Sequence, residues 1–149
     1  YSDLGLVFVG RMNRDTKINK AFYEKQSYHN IHFTGFLPDE QRDWLLTKTA
    51  AYVFPSLMEG FGLPPLEAMA YGTPVVSSNA SCMPEILGDA AEYFDPLDTD
   101  DMAAAIERVI TNPKRRRALI KKGTAQVAKY SWRRMAEETH AVYMKVLQP

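Results

Sequence analysis

Charge of either sign is not in surplus here: lysines plus arginines number 18, and aspartates plus glutamates 18. That balance removes the plainest argument for a nucleic-acid partner, which needs a basic excess; it leaves room for a local basic patch. Cysteine is nearly absent. A lone Cys82 excludes an internal disulfide and is compatible with a reducing compartment. His29, His32 and His140 have no metal-ligand spacing with Cys82, so no protein-held metal is expected. No apolar run approaches the ~20 residues of a membrane span. The opening Tyr1-Ser2-Asp3 carries no basic region, and Leu4 to Gly10 is too short for a signal-peptide core. The missing initiator Met suggests a cut fragment.

What is present is an ordinary globular composition, 46% apolar and 24% charged over 149 residues, enough for one domain with a real core. Short β-branched runs alternate with helical patterns. Strands are expected at Leu6 to Val9, Ile31 to Phe33, Ala51 to Phe54, Pro74 to Ser77 and, more weakly, Ala91 to Phe94. Helical stretches fall near 18–28, 39–49 and 64–71, with a short turn near 83–87. This alternation implies βαβ units, a parallel sheet and helices on both faces. The strands are continuously apolar, which predicts burial on both sides, beginning with the run Leu4 to Gly10. In the last third, Asp98-Thr99-Asp100-Asp101 offers N-caps for a helix to about Ile110. Asn112-Pro113 breaks it, a second helix covers roughly 114–129, and Ser131 caps a third from Trp132 to about Leu147.

The stretch Pro55-Ser56-Leu57-Met58-Glu59-Gly60-Phe61-Gly62-Leu63-Pro64-Pro65-Leu66-Glu67 carries the chemistry. It follows a strand, and ligands of doubly wound sheets bind at the carboxyl ends of strands. Gly60 and Gly62 allow a tight turn and close backbone approach. Pro64 and Pro65 suit a first helical turn. Free N–H groups of Phe61, Gly62 and Leu63 at a positive helix end favour a phosphate. Glu67, expected in the first turn, can accept two hydrogen bonds from a vicinal diol such as a ribose. Glu59, eight residues earlier, can meet hydroxyls at the other end. A nucleotide sugar has hydroxyls at both ends and phosphate between. On the residues alone, a plain tight turn with Glu67 as a favourable helix charge fits equally.

Glu59 to Glu67 resembles the E-x7-E motif of the retaining glycosyltransferase family 4, of the GT-B fold class. The likeness continues through Ile31 to Phe36, Val53 to Ser56, Gly72 to Ser78, Pro84-Glu85-Ile86, Asp95-Pro96 and Tyr130-Ser131-Trp132, covering roughly residues 4 to 147. It implies a Rossmann-like donor-binding domain with a helical C-terminal arm, one half of a GT-B enzyme. The acceptor-binding domain is then missing, and the fragment alone is expected to be inactive. By resemblance Glu59 contacts donor-sugar hydroxyls as the catalytic carboxylate. Gly60, Phe61, Gly62 and Leu63 hold sugar and diphosphate, and Glu67 binds the ribose. Gly35, Phe36 and Leu37 line the nucleobase. The implied reaction is a front-face displacement from GDP-mannose or a UDP-hexose to a saccharide or lipid-linked acceptor, with no metal or other cofactor, in polysaccharide biosynthesis. The implied location is the cytoplasm, including the inner face of the membrane.

The family also places an Arg and a Lys after its first strand. Arg11 and Lys17 are one placement of that phosphate-binding pair. The other makes Leu6 to Gly10 the second family strand and puts the pair upstream, with Arg11 and Lys17 as exposed loop charges. Lys114-Arg115-Arg116-Arg117 with Lys121-Lys122 fits a solvated helix face, or else contact with anionic lipid. Trp44 and Trp132 are expected in the core or in helix packing. Cys82 is expected to be a bystander, and Glu85 either approaches the donor or caps a helix. Apolar surface is expected on the last helix near Tyr143. A non-catalytic nucleotide-binding or regulatory module is the competing function. A dehydrogenase is disfavoured because no G-x-G-x-x-G follows a strand.

Overall fold

Apolar runs and helical patterns alternate in the folded chain as they do in the sequence. The computed structural model describes residues 4–26 and 28–147, so Tyr1-Ser2-Asp3 lies outside the described residues. The order is β1 (Leu6–Val9), α1 (Arg14–Lys25), β2 (Ile31–Gly35), α2 (Asp39–Lys48), β3 (Tyr52–Phe54), α3 (Leu63–Ala70), β4 (Val75–Ser78), α4 (Met83–Leu87), β5 (Ala91–Phe94), α5 (Thr99–Ile110), α6 (Pro113–Val127) and α7 (Trp132–Leu147). All pairings are parallel, as expected for βαβ units. They form two sheets, β1-β2 and β3-β4-β5. The chain divides into two compact units, Tyr1–Leu45 and Leu46–Pro149.

In the first unit, Phe8 on β1 stacks on Phe33 of β2 with centroids 4.7 Å apart, and Tyr23 of α1 lies 6.3 Å from Phe33. Helix α1 begins four residues before the expected 18, because Asn13 caps it: its Oδ1 accepts from the Thr16 N–H at 2.7 Å. The expected burial of β1 is corrected here. Leu6, Val7, Phe8 and Val9 are 40–47% exposed. One helix with no buried residue is too little cover for a strand apolar on both faces.

Strand β4, in the second unit, has such cover from helices of its own unit. All four residues of β4 are buried, and neighbours along a strand face opposite sides. Val75 joins Leu66, Ala68 and Met69 of α3 and Met83, Ile86 and Leu87 of α4 in one cluster. Val76 joins Phe94, Ala105, Val109 and Leu119 in another. Helices therefore pack on both faces of β3-β4-β5.

Glu92 on β5, only 4% exposed, accepts from the Arg108 Nε at 2.7 Å and pairs with the Arg115 guanidinium. Burying a carboxylate this deeply requires such partners. The basic run on α6 is thus only partly a solvated face: Arg115 is drawn to Glu92, and Lys122 pairs with Asp89 at 2.8 Å. The caps expected at Asp98 and Ser131 hold, and Asn112, expected only to break α5, also caps α6. Asp98 accepts from the Asp100 and Asp101 N–H groups, Asn112 from Arg115 and Ser131 from Arg134. Neither tryptophan lies in the core, the first of the two places expected for them. Trp132 is 71% and Trp44 59% exposed, because α7 has no buried residue and α2 buries only Leu46.

Candidate functional site

The loop 55–62 leaves the carboxyl end of β3 and enters α3 through Gly62. That residue is buried and left-handed, with φ +90° and ψ 51°. The dihedral demands glycine, and a Cβ there would also collide with the Cε of Met83, the end of a fully buried side chain that would have to move. Pro64 and Pro65 follow as the second and third helical residues. Neither carries an N–H. Of the donors that a helix start leaves unpaired, only Gly62 and Leu63 remain. Among the described residues none accepts from the amides of Gly60, Phe61, Gly62 or Leu63. A short row of unpaired N–H groups thus runs into the start of α3, at the end where its dipole is positive.

Glu67 needs a correction. The helix starts at Leu63, so Glu67 is its fifth residue and stands in the second turn. Two prolines with φ already near the helical value extend the helix toward the glycine. Glu67 is exposed and shares a helix face with Leu63, four residues before it. The opposite face, Pro65, Leu66, Ala68 and Met69, is buried, which anchors the helix.

Glu59 is half-buried and held from several sides. The Ser56 hydroxyl donates to its Oε1 at 2.8 Å. The Ser78 hydroxyl at the end of β4 donates to the Ser56 carbonyl at 2.6 Å. Ser81 and Cys82, between β4 and α4, reach the Glu59 main chain. The thiol lies 3.3 Å from the Glu59 carbonyl oxygen, so Cys82 is part of the loop's support and not a bystander. Phe61 meets the Tyr130 ring edge-on at 5.5 Å, and the Tyr130 hydroxyl donates to the Ile86 carbonyl at 3.0 Å. Glu85, exposed in the first turn of α4, suits the helix dipole there.

One loop and one helix therefore bring together Glu59, Gly60, Phe61, Gly62, Leu63 and Glu67. The other expected site residues belong to the first unit. Gly35 ends β2 with φ +73°, and its carbonyl accepts from the Gly10 N–H at 3.0 Å. Phe36 is exposed and Leu37 half-buried. Arg11 follows β1, Lys17 lies on α1, and both are exposed. Neither makes an ion pair among the described residues. Sequence reasoning missed the serines around Glu59. Ser56 had a local signal, a hydroxyl three residues before a glutamate. Ser78 and Ser81 had none, because their contacts span 22 residues of chain.

With this strand, glycine loop and helix in view, comparison with known proteins is decisive. The family described as glycosyl transferases group 1 matches residues 1–126. The chain belongs to that family. This group 1 glycosyltransferase chain is 39% identical to O-antigen chain mannosyltransferase B of Escherichia coli over 113 residues, 76% of this chain and 30% of that protein. It is 34% identical to MMP alpha-(1->4)-mannosyltransferase of Mycolicibacterium hassiacum over 149 residues, 97% of this chain and 36% of that protein. The chain thus spans about a third of the length of these relatives. Sucrose-phosphate synthase from Thermosynechococcus elongatus superposes with TM-score 0.83 at 24% identity, over 95% of this chain and 38% of that one. That likeness bears on the fold, which is the parallel α/β fold of GT-B glycosyltransferase domains.

Proposed function

We propose that this chain is the donor-binding part of a retaining family 4 glycosyltransferase and binds a nucleotide diphosphate sugar. The observation that carries the proposal is the row of unpaired amides at Phe61, Gly62 and Leu63, between a braced carboxylate at Glu59 and an exposed one at Glu67. The amides and the helix end suit a diphosphate. Glu67 takes the ribose diol, and Glu59 the hydroxyls of the transferred sugar. Mannosyltransferase relatives favour mannose as that sugar, and GDP-mannose is the donor proposed ahead of a UDP-hexose.

In the proposed step the bond between the anomeric carbon and the diphosphate oxygen breaks. The acceptor hydroxyl bonds to the anomeric carbon on the same face, and its proton passes to the departing phosphate oxygen. Negative charge grows on that oxygen, and fixed N–H dipoles stabilise it. The step uses no metal ion. The acceptor, a saccharide or a lipid-linked sugar, would sit on a domain beyond this chain, so the chain by itself transfers little.

Calorimetric titration of the chain with GDP and UDP tests the donor site, with a dissociation constant between about 1 μM and 1 mM expected for one of them. In the intact protein, Glu67→Ala should lower affinity for that nucleotide about tenfold or more, the cost of hydrogen bonds to a charged acceptor. Unchanged affinity in that variant removes the ribose role, and no binding of either nucleotide removes the proposal.

A further inference from the structure

The geometry points to Ser81 as the positioning residue of Glu59. The inference rests on Glu59 being the carboxylate that meets the donor sugar. Glu59 sits in a loop with no strand partner for its main chain, so its N–H and C=O must be met in another way. One hydroxyl does both. The Ser81 Oγ donates to the Glu59 carbonyl oxygen at 3.0 Å and accepts from the Glu59 N–H at 3.3 Å. The Cys82 thiol, a weak donor, adds a contact to the same carbonyl at 3.3 Å.

The backbone at Ser81 is the second observation. Its φ is +56°, and among the described residues it is the only non-glycine with positive φ. A left-handed position selects glycine when the backbone alone matters. Serine adds one thing, the hydroxyl, and that hydroxyl touches Glu59. Ser81 is exposed, so no core packing accounts for the strain. Strain held at one exposed residue fits a site constraint.

The same strand end also reaches the carboxylate. Ser78 closes β4 and donates to the Ser56 carbonyl, and Ser56 donates to the Glu59 Oε1. The side chain of Glu59 is thus referenced through Ser56 to β4, whose four residues are all buried, and its main chain to the turn that follows β4. A carboxylate that must meet a sugar within a fraction of an ångström gains from such a rigid reference.

The test compares a nucleotide with its sugar conjugate in the intact protein. GDP and GDP-mannose, and UDP and UDP-glucose, are titrated by calorimetry, and the pair that binds the wild type is carried to the variants. The affinity ratio of sugar nucleotide to bare nucleotide isolates the sugar's contact. Ser81→Gly removes the hydroxyl and relieves the φ, whereas Ser81→Ala removes the hydroxyl and keeps the φ. Both are expected to lower the ratio about tenfold, with bare-nucleotide affinity changed by less than about twofold and the melting temperature of Ser81→Gly close to wild type. In a Glu59→Ala background, Ser81→Gly should lower the ratio no further, because the two residues act as one unit.

An unchanged ratio in Ser81→Gly, with the ratio lost in Glu59→Ala, overturns the positioning role and leaves Glu59 in place. Equal loss of nucleotide and sugar-nucleotide affinity also overturns it, since a merely structural serine would act that way. A full ratio in Glu59→Ala, or a wild type that binds neither pair, overturns the reading of Glu59 and this inference together.

Discussion

Strands β1 and β4 look alike on paper and differ in the fold. Leu6-Val7-Phe8-Val9 is more apolar than Val75-Val76-Ser77-Ser78. Yet β4 is buried throughout and β1 is exposed throughout. The difference lies in their neighbours. Strand β4 has a strand on each side, α3 and α4 in the cluster on one face and α5 and α6 in the cluster on the other. Strand β1 has one strand beside it and one helix, α1, in its unit before β2. Apolarity states what a strand tolerates on its faces. Burial requires elements that other parts of the chain must supply.

The sharpest way to break this comparison is to truncate one phenylalanine in each unit of the chain. Phe94, 1% exposed, should cost about 3–5 kcal/mol as Phe94→Ala, from lost transfer energy plus the cavity. Phe8, 43% exposed, should cost only about 1–2 kcal/mol as Phe8→Ala, since nearly half its surface stays in water. Chemical denaturation followed by circular dichroism measures both. Equal losses would mean that β1 is covered in solution.

A smaller effect separates two left-handed glycines of the second unit. At Gly62 an alanine meets both the φ penalty and Met83, and should cost about 2–3 kcal/mol. At Gly72, with φ +75° and no atom within 4 Å of an added Cβ, only the backbone term of about 1 kcal/mol remains. Melting temperatures of the two variants should fall in that order. Similar losses would show that Met83 moves aside.

The smallest effect is one of pH. Burial holds the Tyr93 hydroxyl protonated, its pKa pushed up to about 12 with a lesser push from Asp89. That hydroxyl donates to the Gly88 carbonyl at 2.7 Å. A pKa raised on folding gives stability that is whole below the ordinary tyrosine value near 10 and is lost as pH rises through about 12. Absorbance titration should show Tyr93 ionising at about pH 12, well above the ordinary tyrosine value. Tyr93→Phe should flatten part of the stability loss in that window. An unchanged profile in Tyr93→Phe would remove the group from the alkaline transition.

The sequence alone determined where strands, helices and caps fall, and where the glycine loop meets its helix. Those features depend on spacing within a few residues, on the fixed φ of Pro64 and Pro65 and on the free φ of Gly62. Helix boundaries slipped by one to four residues, at the starts of α1 and α3 and at the ends of α1 and α6. Tertiary structure alone decided that β1 lies open, that Glu92 draws Arg108 and Arg115 to it, and that Ser81 grips Glu59. Each depends on residues brought together across many positions, and contacts at such a distance leave no periodicity along the chain for a reader to find.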